Sequence, residues 1–217
     1  MFSPWLPLPL SSPSRPSGLI RVIDSVMSNR LKSSFLAVAT FFAMHLTAQN
    51  QSALPIAEPA RSADWQVIND DVMGGISTSQ MRVSTKGTLV FAGRVSLENN
   101  GGFASVRSVS ALPDLTGCDA FVVRVRGDGR RYRFTVRTER SLDSAVYQAE
   151  FVTKAGEWQE HRLALKEFVP TFRGRVLSGR PPLDPAKIAS VGFLISDKQS
   201  GPFGLEIDWI KAVRLAG

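Results

Sequence analysis

From residue 64 onward the chain alternates apolar and polar residues in short runs broken by Gly, Pro, Asp or Asn, a period of two and not the 3.6 of a helix. In AFVVRVR at 120–126, Phe121, Val123 and Val125 share one face and Arg124 and Arg126 the other. In YRFTVR at 132–137, Tyr132, Phe134 and Val136 oppose Arg133, Thr135 and Arg137 in the same way. The pattern predicts strands over 65–68, 80–85, 88–96, 104–109, 120–126, 132–139, 145–152, 158–164, 188–196 and 205–213, with helical turns only at 165–168 and 184–189. Many short strands with almost no helix predict an all-β fold, an antiparallel β-sandwich of jelly-roll type, as a single domain over 64–217. Between two of these strands, GDGRR predicts a tight hairpin at Asp128 and Gly129. That pairing would gather Arg124, Arg126, Arg133 and Arg137 on one sheet face, with Glu150 as a partner on a neighbouring strand. A solvated surface with cross-strand charge pairs is the expected outcome, against a groove for a polar or anionic ligand.

Residues 1–63 have a different character. The first 26 are rich in Pro and Ser without helical or strand spacing. Arg30 and Lys32 then precede an apolar run at 35–46 that ends in Leu46-Thr47-Ala48. The segment 27–48 resembles a secretory signal peptide with cleavage after Ala48, which predicts export to a periplasm or the extracellular space and translation from Met27. The competing expectation is a mitochondrial transit peptide, since Arg15, Arg21, Arg30 and Lys32 lie among many serines with Asp24 as an acid. The apolar run is shorter than the roughly 20 residues that span a bilayer, so no permanent membrane anchor is expected. Residues 49–63 read as a polar linker.

Charge and rare residues then narrow the chemistry. The formal net charge is +7, but five basic and two acidic residues precede Asp64, leaving 21 basic against 17 acidic in the folded part. That balance is too mild to predict nucleic-acid binding. Cys118 is the single cysteine, cannot form an internal disulfide, and opens an apolar strand where a small buried hydrophobe is expected. His45 lies in the leader and His161 in a strand run, so no Ser-His-Asp or Cys-His set is legible, and no enzyme is expected. GDGRRY lacks the glycine spacing of a dinucleotide-binding GxGxxG.

One loop carries most of the remaining polar chemistry. NDDVMGGIS at 69–77 places Asn69, Asp70 and Asp71 beside the permissive backbone of Gly74 and Gly75, between two predicted strands. A second stretch sets Asn99 and Asn100 before Gly101 and Gly102, with Arg107 following. The expectation is that the two loops meet at one end of the sandwich. Asn69, Asp70, Asp71, Gly74, Gly75, Asn100, Arg107 and Arg173 would then form one recognition site for a ligand or partner. Adjacent in an extended segment, Asp70 and Asp71 would point in opposite directions, which excludes a paired acid and base. They are weak candidates for hard oxygen ligands to a structural Ca²⁺, against the simpler role of capping the loop by accepting backbone N–H groups. The connection 168–184 carries Pro170, Pro181 and Pro182, and Phe168 and Phe172 predict a fixed shape that directs Arg173 and Arg175.

Four stretches together, WQVINDDVMGGIS at 65–77, NNGGFASVRS at 99–108, FVPTFRGRV at 168–176 and GFLISDKQSGPFGLEIDWI at 192–210, resemble the complex I intermediate-associated protein 30 family. The resemblance covers essentially all of 64–213. It implies a galactose-binding-like jelly roll without established catalytic residues. It also implies a non-enzymatic role in which the domain engages a protein partner during assembly of a complex. A carbohydrate-binding module of an exported protein is the alternative, to be distinguished by whether Trp65, Trp158 and Trp209 are exposed on one face.

Overall fold

The structure, a computed structural model, describes residues 53–57, 62–141 and 144–214. Among the described residues thirteen strands form two antiparallel sheets. The first runs in the order β3 (Thr78–Val83), β4 (Leu89–Val95), β13 (Gly201–Val213), β6 (Ala120–Arg126) and β9 (Trp158–Ala164), with β1 (Ala53–Ala57) also paired to β13. The second runs β11 (Arg175–Val176), β10 (Val169–Phe172), β8 (Val146–Val152), β7 (Arg131–Arg137), β12 (Ser190–Ile195), β5 (Ala104–Ser108) and β2 (Trp65–Asn69). This is the β-sandwich that the alternating pattern predicts. Short 3-10 turns at Leu165–Glu167 and Pro185–Lys187 fall inside the two predicted ones, and three more that the pattern does not predict lie at Ser62–Asp64, Asp70–Met73 and Glu98–Asn100.

The inward residues of both sheets meet in a ladder of rings. Phe121 of β6 and Phe134 of β7 lie 5.0 Å apart, Phe134 and Phe193 of β12 lie 5.3 Å apart, and Phe91 of β4 meets Phe203 of β13 at 4.9 Å. Phe168 closes the ladder edge-on against Phe121 and Phe134. Fully burying each such side chain contributes ~1.5–3 kcal/mol, so this core holds the loops at the sandwich ends in place. Cys118 is buried, and burial pushes its thiol pKa up, as for a small core residue.

Three expectations are corrected. Strands β6 and β7 do not form a hairpin: β6 pairs with β13 and β9, and β7 with β12 and β8. Their apolar faces look at each other across the core, so the turn between them crosses from one sheet to the other. Asp128 pins that crossing by accepting from Arg130 N–H, the Tyr132 hydroxyl and Gly204 N–H. The arginines are thereby split. Arg124 and Arg126 lie on the outer face of the first sheet, ion-paired to Asp208 and Glu206, while Arg131 and Arg133 lie on that of the second, beside Glu150.

The second correction concerns residues 53–57, read as linker, which form β1 along the edge of β13 with Leu54 and Ile56 packed against the core. The third concerns the connection 168–184, which contains the hairpin β10–β11. Arg173 and Gly174, both with left-handed φ of 47° and 77°, make its two-residue turn. Residues 27–48, read as a signal peptide, lie outside the described residues. Among the described residues no helix is long and apolar enough to cross a membrane.

Candidate functional site

Strand β2 ends at Asn69, and Asp70–Met73 follow as a short 3-10 turn that Gly74 stops with a left-handed φ of 89°. This turn drives the Asp70 side chain inward, where it is almost wholly buried. Its Oδ1 accepts the Ser77 N–H at 2.9 Å. Its Oδ2 accepts the Ser77 hydroxyl at 2.5 Å, the Gly102 N–H at 2.6 Å and the Phe103 N–H at 3.2 Å. Burial alone would push the carboxyl pKa up, but the bonds from the Ser77 hydroxyl and the three backbone N–H groups outweigh it and hold the carboxyl below its ordinary value. Ser77 extends the link, since its hydroxyl also accepts the Ser96 N–H at 2.9 Å.

The glycines are explained by the same carboxylate. A Cβ on Gly75 would fall 2.4 Å from Asp70 Cγ, and one on Gly101 would fall 2.7 Å from its Oδ2. Only bare backbone can approach this closely. The loops 70–77 and 96–103 do meet, and Asp70 is the group that joins them. Asn69 supports the junction from the strand end, with Oδ1 accepting the Ser79 hydroxyl at 2.6 Å.

The other predicted site residues have different places. Asp71 and Asn100 are exposed on the two loops, Asn100 with a left-handed φ of 58°. Arg107 is not at the junction: it lies three residues along β5 from Ala104, roughly 10 Å away at strand rise, and donates to Gln66 Oε1 and the Arg140 carbonyl. Arg173 sits in the β10–β11 turn, with four inter-strand spacings between β10 and β5, or roughly 19 Å, and stacks over Phe172 at 5.2 Å. The Asp70 oxygens, facing four N–H and O–H donors, do not fit a calcium ion, which would need them as ligands.

What the sequence reading missed is the apolar character of the junction's surface. Val72, Met73 and Ile76 are 65%, 61% and 49% exposed on the first loop, and Leu97 is 44% exposed on the second. Asp71 and Glu98 stand exposed beside them. The available signal was VMGGI itself, apolar residues interleaved with glycines where no strand could bury them.

A family model described as complex I intermediate-associated protein 30 matches residues 54–207. The chain belongs to the complex I intermediate-associated protein 30 family. The mitochondrial complex I intermediate-associated protein 30 of Mus musculus is 30% identical over 168 residues, 67% of this chain and 51% of that protein. Its Drosophila melanogaster namesake is 29% identical, over 67% of this chain and 57% of that protein. The chain thus spans about half the length of the relatives it matches. Among solved structures, the family 11 carbohydrate-binding module of Clostridium thermocellum, in complex with a mixed-linked tetrasaccharide, covers 75% of the chain. That likeness has a TM-score of 0.55, spans 95% of the module at 16% identity, and shows a shared fold.

In this complex I intermediate-associated protein 30 domain the tryptophans divide. Trp65 is buried, while Trp158 and Trp209 are half-buried on the outer face of the first sheet. Neither ring is bare. Arg124 and Arg126 lie over Trp158 at 5.4 and 5.0 Å, and Lys211 lies over Trp209 at 4.0 Å.

Proposed function

We infer that this domain is a non-enzymatic recognition module that binds a protein partner through the paired loops joined by Asp70. The observation that carries this reading is the exposure of Val72, Met73, Ile76 and Leu97 on loops whose backbone is fixed by a buried carboxylate. Apolar side chains held in water by a rigid frame are a cost to the free protein that a partner can offset. Pre-organised loops also lose little entropy on binding. The exposed Asp71 and Glu98 favour a partner segment that is apolar with basic flanks. The names of the relatives, with their reference to complex I intermediates, support an assembly role for such binding.

The test is capture of partners from the native host by the full chain and by a Val72→Ser/Met73→Ser variant. Respiratory-complex subunits recovered with the first and lost with the second support the reading; identical recovery with both overturns it. The mitochondrial names of the relatives favour the transit-peptide reading of the leader over export. Fractionation of the host, with the protein found in culture medium or periplasm, would reverse that order. A carbohydrate reading rests on Trp158 and Trp209 sharing a face, but their rings already carry cations. Saturable binding to a soluble β-glucan, lost in Trp158→Ala, would favour it over the partner reading.

A further inference from the structure

The outer face of the second sheet holds an electrostatic conflict at one end. Across this face, Arg131 and Arg133 of β7 are neutralised by Glu150, and Arg133 also meets Asp197 at 2.5 Å. Further along, Arg107 of β5 and Arg137 of β7 stand on either side of β12, in register with Gly192 and Ser190 respectively. Arg140, in the segment after β7, joins them: its carbonyl accepts from Arg107 Nη1 at 3.4 Å, and its own Nη1 donates to the Val109 carbonyl at 2.9 Å. Among the described residues none of these three guanidiniums meets a carboxylate. Their acceptors are neutral, namely Gln66 Oε1, the carbonyls of Val109, Arg140, Ser141 and Ser144, and the Ser144 hydroxyl. Burial lowers the pKa of Arg107 with a further push from the charge of Arg140, and that of Arg137 with a push from Arg107.

The strand beneath them is shaped to match. Gly192 lies between Arg107 and Thr135, and a Cβ there would fall 2.2 Å from the Val106 carbonyl oxygen and 2.8 Å from Thr135 Oγ1, so the floor is bare peptide. Next to it on the same face, Ser190 is 2% exposed and its hydroxyl has no hydrogen-bond partner. A buried hydroxyl left unpaired is costly, as is the mutual repulsion of three cations. By backbone register both costs lie on neighbouring strands of one sheet face. Each would be relieved by the same object, a compact anion with several acceptor oxygens.

We propose that Arg107, Arg137 and Arg140, over Ser190 and Gly192, form a binding site for a phosphate group, either free phosphate or a phosphate monoester. Three guanidiniums approaching from β5, β7 and the segment after it suit a tetrahedral dianion, which accepts from several directions, better than a flat carboxylate. The site lies away from the Asp70 junction and does not depend on the partner reading.

Isothermal titration of the full chain at fixed ionic strength, first with inorganic phosphate and then with phenyl phosphate, tests it. Saturable binding at one equivalent is expected, weakened at least tenfold in Arg107→Gln and unchanged in Arg131→Gln, whose side chain is already paired. Tighter binding of phenyl phosphate identifies an ester as the natural form, and tighter binding of inorganic phosphate the free ion. Ser190→Ala gives a second readout, because it should weaken phosphate binding several-fold while leaving the ligand-free melting temperature equal or higher. Absence of saturable binding overturns the proposal. So does binding that Arg107→Gln leaves intact, or that Arg131→Gln and Arg107→Gln weaken equally.

Discussion

The Asp70 carboxylate accepts the Gly102 N–H at 2.6 Å across 32 residues of sequence, so a charge on one loop dictates the path of another. Replacing it by the isosteric amide should be costly. Asp70→Asn turns an NH₂ toward at least one backbone N–H whichever way the amide lies, and we expect a loss of about 3 kcal/mol. At this chain length that corresponds to a melting temperature lower by about 6–12 °C in a thermal scan. A change under 2 °C by that measurement would remove Asp70 from its structural role.

Acid unfolding should carry the same signature. Because the hydrogen bonds lower the folded pKa of Asp70, its contribution to stability is complete above the ordinary carboxylate value near ~3.9 and is lost as pH falls through the folded pKa. Denaturant midpoints measured from pH 6 down to pH 2 should therefore fall more steeply for the native protein than for Asp70→Asn. Parallel curves would contradict this.

Gly75→Ala should destabilise by roughly 1–3 kcal/mol, because the new methyl collides with Asp70. Gly204→Ala, on β13, is the control: nothing lies within 4 Å of a Cβ there, and a change within ~0.5 kcal/mol is expected. Chemical denaturation of the two variants side by side would expose any error in that contrast.

Glu206 accepts from the Thr88 hydroxyl at 2.5 Å and from Arg126. Burial raises its pKa, and these partners more than reverse the shift, so the carboxyl titrates below its ordinary value. Thr88→Val should raise the Glu206 pKa, a shift readable in a carboxyl-carbon NMR titration. An unchanged titration would show that the Thr88 hydroxyl does not set it, leaving the charges of Arg126 and Lys86.

A chain beginning at residue 62 lacks β1 and with it the packing of Leu54 and Ile56. We expect it to be less stable by about 2–3 kcal/mol than a chain beginning at residue 51. Equal urea midpoints would mean that β1 is an ornament of the edge.

These expectations also mark where residue patterns stop being informative. Ala120–Arg126 was legible residue for residue, because Phe121, Val123 and Val125 oppose Arg124 and Arg126, and the bounds of Trp158–Ala164 also match although WQEHRLA alternates less regularly. Strand β10 was not, because Pro170 and the short run VPTF break the alternation. The Asp128–Gly129 signal gave the right turn chemistry and the wrong pairing, since period two reports which face is apolar and not which sheet a strand joins. At the site, the carboxylates and glycines were visible, but the Asp70 donors lie seven, 32 and 33 residues away, and no local pattern connects them. The exposure of Met73 had a local signal in the glycines of VMGGI, but a methionine by itself reads as core, and the fold leaves this one 61% exposed.

Strand β13 pairs with β4 over Gly201 to Ile207 and with β1 over Ile210 to Val213 on one side, and with β6 on the other. In chain order β1, β4 and β6 all precede the strand that joins them. Without β13 each of those three strands has an edge with no partner, and such edges are open to pairing with other chains. The last strand in sequence is thus the one that seals the first sheet, and damage confined to it would expose three edges at once.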